Sequence, residues 1–284
     1  MKRAFTRTLL VSLPLCLLSA CGGGGGGTSS AAAPAPAPQV NQQIGGIWQT
    51  QYTLTSGSTA GDTVNGLAIS DQNGRIFFAE RDQNNGCTEV GFGQATVSGS
   101  AISGTVDFGI ASYSSLPGVN TSCTYSDGST SGNGVITGTI AQQSSMTTTF
   151  SGTTSLGTAL ATETHTWTFN SLYDNASSLS LLAANYTDGS DTLSISTNGA
   201  IFEQDPPTGC VINGQMSIIN SQYNAYNISM SISSCTGSEA VLNGLTLSGL
   251  ATLDTSVSPA QLDFGVSTNA GGQYFVLVDT ITQQ

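Results

Sequence analysis

The 284-residue chain contains a single histidine, His165. Ser-His-Asp chemistry would have to use it as its general base. It stands in "THTWTFN", where His165, Trp167 and Phe169 share one side and Thr164, Thr166 and Thr168 the other. No Gly-x-Ser-x-Gly elbow accompanies it. A lone histidine in such a strand reads as packing or surface, not as a base. Closely spaced carboxylates could serve glycoside hydrolysis, which needs two acids in different roles. The candidates are Glu80 with Asp82, Asp188 with Asp191, and Glu203 with Asp205. Each pair is expected to flank a turn, where acids act as caps and Asx-turn residues. "DGSD" at 188–191 could offer calcium its oxygens, but the EF-hand spacing is missing. The residues therefore predict no catalytic group, no metal site and no cofactor. The expectation is a non-enzyme.

Cysteine chemistry is more legible. No Cys-x-x-Cys is present, so redox and thiolate-metal sites are disfavoured. Cys87, Cys123, Cys210 and Cys235 lie in the body of the chain, and four cysteines allow three pairings. An internal repeat selects one of them. "LAISDQNGRIFFAERDQNNGC" (67–87) lines up with "LSISTNGAIFEQDPPTGC" (193–210), sharing Leu-x-Ile-Ser, Asn-Gly-x-Ile-Phe and Gly-Cys. Each half then owns two cysteines at matching places. Cys210 opens the fourth strand of its half and Cys235 closes the fifth. Those ends are neighbours in an antiparallel hairpin. The expected bonds are Cys87–Cys123 and Cys210–Cys235, each contributing about 3–4 kcal/mol through loop closure.

The elements that must position these residues are strands. "GIWQTQYTL", "THTWTFN", "YNAYNISMSIS" and "QYFVLVD" alternate with period two and are rich in β-branched and aromatic residues. Asn73-Gly74, Asp127-Gly128, Asn133-Gly134, Asp188-Gly189, Asn198-Gly199 and Asn243-Gly244 read as turns. About eight strands fit each half. The second half places them near 181–187, 191–197, 199–204, 211–219, 223–234, 240–252, 260–267 and 273–281. Consecutive hairpins in that number suit an up-and-down barrel, which has no exposed edge. A two-sheet sandwich is the alternative. The fold class is thus all-β, with two antiparallel eight-stranded domains in tandem at 44–174 and 175–284, joined through "YDNASS" (173–178). An eight-stranded barrel can enclose one small ligand. Trp48, Tyr52, Trp167 and Phe169 could line such a cavity, and filling the core is their favoured role. Tyr223 and Tyr226 in "SQYNAYN" could be exposed recognition aromatics, but turn and strand packing explains them as well.

The chain opens "MKRAFTRTLLVSLPLCLLSAC". Lys2, Arg3 and Arg7 precede a short apolar run and small residues, the layout of a secretory signal at 1–20. Leu18-Ser19-Ala20-Cys21 resembles the lipobox of bacterial lipoproteins. That resemblance implies cleavage before Cys21, acylation of Cys21 and, with Gly22 following, transfer to the outer membrane of a Gram-negative cell, on its periplasmic or surface face. Residues 21–43, rich in Gly, Ala and Pro, form a tether reaching roughly 25 Å. Beyond the signal only Arg75 and Arg81 remain against 17 acids, a side-chain net of −15. Such a body repels nucleic acid and anionic lipid, so its membrane contact is expected through the N-terminal lipid.

Leader and tandem halves together resemble a group of tandem-domain Gram-negative outer-membrane lipoproteins, through Gly209, Cys210, Gly214 and the "YNAY" at 223–226. The resemblance brings no activity with it. A looser likeness, through lipid anchor and Gly-rich strands, is to surface-lipoprotein barrels that bind host proteins. The functional expectation is a lipid-anchored, non-enzymatic binding or interaction module of the cell envelope with an envelope or extracellular partner. A structural or assembly factor of the outer membrane is the alternative, and an envelope hydrolase ranks last.

Overall fold

The computed structural model describes residues 42–53, 61–82, 87–112, 123–189, 191–270 and 273–284. The expected signal peptide, Cys21 and the tether up to residue 41 lie outside the described residues.

Alternation becomes strand throughout. The first barrel runs β1 (Gly46–Thr53), β2 (Thr63–Ser70), β3 (Arg75–Asp82), β4 (Cys87–Ser98), β5 (Ala101–Ser112), β6 (Ser131–Ala141), β7 (Ser145–Thr154) and β8 (Glu163–Asn170). The second runs β9 (Ala184–Thr187), β10 (Thr192–Ile195), β11 (Ala200–Gln204), β12 (Val211–Ile218), β13 (Tyr226–Ser233), β14 (Thr246–Asp254), β15 (Gln261–Ala270) and β16 (Gln273–Gln283). Each strand pairs antiparallel with the next, and both sheets close. β8 returns to β1 with Trp48 opposite Phe169. β16 returns to β9 with Thr282 opposite Thr187. Two tandem up-and-down barrels result, and the sandwich alternative falls away.

The repeat is visible in matching turns. Gly74 and Gly199 both have positive φ, at 87° and 81°. The Gly74 carbonyl accepts from the Ala95 amide and that of Gly199 from the Met216 amide, each at 2.7 Å. A Cβ would lie 2.0 Å from the Ala95 oxygen at Gly74 and 2.3 Å from the Met216 oxygen at Gly199. Glycine is thus required by both conformation and space.

The interior of the first barrel is packed. Trp48, Ala68, Ile76, Ile102, Val106, Ile140, Met146 and Trp167 are buried together. The indole of Trp48 donates to Ser70 Oγ at 2.9 Å, so its polar atom is satisfied. Asn133-Gly134 is not a turn. It runs inside β6, where a Cβ on Gly134 would meet the Phe150 ring at 2.7 Å. The glycine serves a large ring, not a reversal.

Two short helical pieces replace expected strand. Residues 240–242 belong to a 3-10 turn, Gly237–Leu242. Residues 181 and 182 belong to a one-turn helix, α1 (Leu179–Leu182), whose Leu182 is fully buried under the second barrel. Tyr186 OH donates to the Leu182 carbonyl at 3.0 Å. Leucine clusters and strand-forming residues look alike over three or four positions, so local pattern does not separate them.

The outward faces of the two barrels meet. Ile69, Phe77 and Leu250 are buried there, with Ala79, Phe92, Val276 and Val278 around them. Asp71, fully buried, accepts from the backbone of Asn73 and Arg75 and from Arg75 Nε at 2.7 Å. The other arm of Arg75 reaches Asn227 of β13. "YDNASS" is not a free linker. Tyr173 is buried and stacks on Tyr223 with centroids 4.8 Å apart. Asn224 Nδ2 donates to the carbonyls of Leu172 and Leu253, and its Oδ1 accepts from the Leu253 amide. Tyr226 is buried and not an exposed recognition aromatic, its hydroxyl accepting from the Ser178 amide at 2.9 Å.

Candidate functional site

In each barrel the odd-numbered strands finish, and the even-numbered ones begin, at one common end. That end carries the disulfide. Cys87 pairs with Cys123 and Cys210 with Cys235, with Cα separations of 5.7 and 4.0 Å. The interior acids gather there too.

In the first barrel, inward alternation on β3, β4 and β8 aims Glu80, Glu89 and Glu163 into one space. Glu80 and Glu89 are directly opposite in the β3–β4 register. His165 lies between two of the acids, Nδ1 2.8 Å from Glu80 Oε1 and Nε2 3.4 Å from Glu163 Oε2. Its ring stacks on Tyr52 at 4.3 Å, and Tyr52 OH donates to Glu80 Oε2 at 3.2 Å. Burial pushes the imidazole down, but the carboxylates of Glu163 and Glu80 beside it win and raise it to about 10. The two flanking carboxylates favour the imidazolium form of His165 at neutral pH. Burial, then the charges of Glu80 and Glu163, raise Glu89 to about 8, so it is largely protonated. Burial and Glu89 raise the Tyr125 phenol as well.

This cluster corrects the expectation for Glu80, which is not a turn residue. β3 runs on to Asp82, and both acids are buried inside the sheet. Glu89, Glu163 and Tyr125 were not singled out from sequence. For Glu163 a signal existed, since it precedes His165 by two and so shares its face. The aromatics fill the barrel. Trp48 meets Phe169 edge-on at 5.4 Å, Trp167 Nε1 donates to Thr148 Oγ1 at 3.0 Å, and Tyr52 carries the histidine. About 40 Å³ of space remains beside the cluster.

The second barrel differs. Its interior is packed as well, but at the disulfide end a cavity of about 700 Å³ opens above that core. The walls are apolar, with Leu193, Met230, Leu247, Phe264 and Ile281 among them. Asp188, Asp191, Glu203, Asp205, Glu239 and Asp279 line it as well. The sequence pairs Asp188–Asp191 and Glu203–Asp205 are therefore brought together, though as part of a wall instead of as an isolated dyad. Burial, then Asp191, Asp188, Asp279 and Asp205, raise Glu203 to about 7. Burial also raises Asp279, against a hydrogen bond from the Thr280 amide. A groove of similar size, about 720 Å³, lies on the outer face of β4 to β7, but it is open to solvent.

Among the described residues no three His, Cys, Asp or Glu side chains are grouped to hold a metal ion. No helix among them is long and apolar enough to cross a membrane. No protein-family model matches the chain, and no curated protein or solved structure matches it.

Proposed function

We propose that this protein is a lipid-anchored binding module of the bacterial cell envelope, and that its second barrel takes up a small ligand with an apolar body. One contrast carries the reading. Two barrels of the same plan sit in one chain, both packed within; at the acid-bearing end one leaves about 40 Å³ and the other opens a cavity of about 700 Å³. A cavity of a few hundred Å³ or more, mostly apolar with a few polar groups, is the usual form of a small-molecule site. Both barrels gain stability by packing their interiors, so the cavity of the second is a mouth above its core and not a gap within it. The lipobox resemblance supplies the address, the outer membrane, and the tether the reach.

The test uses the purified full chain and the neutral fluorophore N-phenyl-1-naphthylamine. Saturable binding that is lost in Leu247→Trp, which fills the cavity, supports the reading. Binding unchanged in that variant, or none at all, refutes it.

A further inference from the structure

The first barrel carries its own cation. His165 sits one inward rung above the Met146–Trp167 pair of β7 and β8, facing Thr148. The same rung of the second barrel, above the Leu262–Ile281 pair of β15 and β16, carries Asp279 facing Phe264. The duplicated plan thus places an imidazolium among carboxylates in one half and a further carboxylate in the other. Beside these acids the second half has about 700 Å³ of open space where the first has about 40 Å³. Its cavity wall holds six acids and no lysine, arginine or histidine.

We propose that the ligand of the second barrel is an organic cation, an ammonium or guanidinium on an apolar body, with its charge between Glu203 and Asp279 and its body against Leu193, Met230 and Leu247. This rests on the reading of that cavity as a ligand site. The cation does in the second barrel what His165 does in the first. Burying carboxylates without a counter-charge is costly, and the cost is relieved by a partner of opposite sign. The acids are distributed around a wide wall and do not converge. That suits a group several ångströms across, with donors in more than one direction, better than a bare metal ion. The apolar floor gives the body its affinity, and the acids decide which head group enters.

The geometry of the two inward acids is specific. Glu203 projects from β11 opposite Leu193 and Ile212. Asp279 projects from β16 opposite Phe264. The groups facing Glu203 are Asp188 and Asp191 of the β9–β10 turn, Asp205 at the end of β11, and Asp279. A cation seated there faces negative charge from three elements.

Three probes with one body separate the claims: 4-phenylbutylamine, 4-phenylbutanol and 4-phenylbutyrate, titrated calorimetrically into the full chain at pH 8. The amine is expected to bind about tenfold or more tighter than the alcohol, with the butyrate weaker still. Glu203→Gln and Asp279→Asn should each remove most of that preference while leaving the alcohol's affinity within about twofold. Circular dichroism establishes that the variants fold. If the alcohol binds as tightly as the amine, the charge inference is overturned and the cavity reading stands. If amine binding survives Leu247→Trp, the site is elsewhere and the inference is overturned. Calcium displacing the amine at equal concentration overturns it in favour of a metal. If none of the three probes and no N-phenyl-1-naphthylamine binds, the cavity reading itself fails.

Discussion

His165 Nδ1 lies 2.8 Å from Glu80 Oε1 inside the first barrel, both side chains being almost wholly buried. Removing one partner of a buried ion pair strands the other, and typically costs about 3–5 kcal/mol. His165→Leu is expected to destabilise by that amount in urea unfolding, since Glu80, Glu89 and Glu163 would face one another without a cation. Glu80→Gln/His165→Leu together should cost clearly less than the two singles summed. Additive costs would mean that the pair is not a unit.

The raised groups set the direction of pH dependence. Glu203 stands at about 7, Glu89 at about 8 and His165 at about 10. Each holds its proton more tightly folded than unfolded, so its contribution is complete below its ordinary pKa and fades as pH rises through the folded value. For the carboxyls the loss begins near their ordinary 4.5, and for the imidazole near 6.5. Asp127 acts oppositely. Hydrogen bonds from Ser129 and Thr154 lower it, so its contribution is lost only below its ordinary 3.8. Tm should therefore peak near pH 4–5 and decline to pH 10. A Tm that rises from pH 5 to pH 8 contradicts these assignments.

That cluster also marks where sequence reading stops. Period-two alternation was enough to find the strands, because one buried face leaves a local trace. The repeat was enough to pair the cysteines. Glu80 was misplaced because β3 continues two residues past it, and strand ends are poorly marked where "ERD" looks like turn. Glu89 and Glu163 converge with it only across closed sheets, and convergence depends on register, not on spacing along the chain. The barrel–barrel face was hidden for a related reason. In "GLAIS" and "IFFAE" both faces are apolar, so the residues that leave the barrel resemble those that line it. The open mouth of the second barrel could not be read either, since Leu, Met and Phe serve a cavity wall as well as a filled core.

Gly265 gives the interface a sharp test. A Cβ there would stand 2.1 Å from the ring of Phe77, across from the first barrel. Overpacking of this kind costs about 1–3 kcal/mol. Gly265→Leu is expected to broaden or split the calorimetric unfolding of the chain, as the two barrels lose their shared face. Adding Phe77→Ala should restore part of the loss by opening the space. A single transition at unchanged Tm in Gly265→Leu would mean that this contact does not couple the barrels.

The Cys210–Cys235 bond ties the entry of β12 to the exit of β13, and Cys210 itself lines the cavity. Removing a native disulfide typically costs about 2–5 kcal/mol. Cys210→Ala/Cys235→Ala should therefore lower stability by that amount and also weaken probe binding, since the wall loses its brace. Cys87→Ala/Cys123→Ala should cost stability similarly but leave probe affinity unchanged, because that bond lies in the first barrel and does not border the cavity of the second. Equal effects of both pairs on binding would place the probe outside the second barrel.

The proposed anchoring would rest on Cys21. Several acyl chains give stable membrane attachment, since each buried CH₂ contributes about 0.8 kcal/mol. The body carries a side-chain net of −15 beyond the signal, so an anionic bilayer offers it no electrostatic hold. Without the lipid, nothing in that charge balance should keep the protein on a membrane. Cys21→Ala is expected to move it from the detergent-extracted to the soluble fraction, while intact mass measurement of the parent chain shows the added acyl groups. If Cys21→Ala still requires detergent for extraction, the attachment is not through this cysteine.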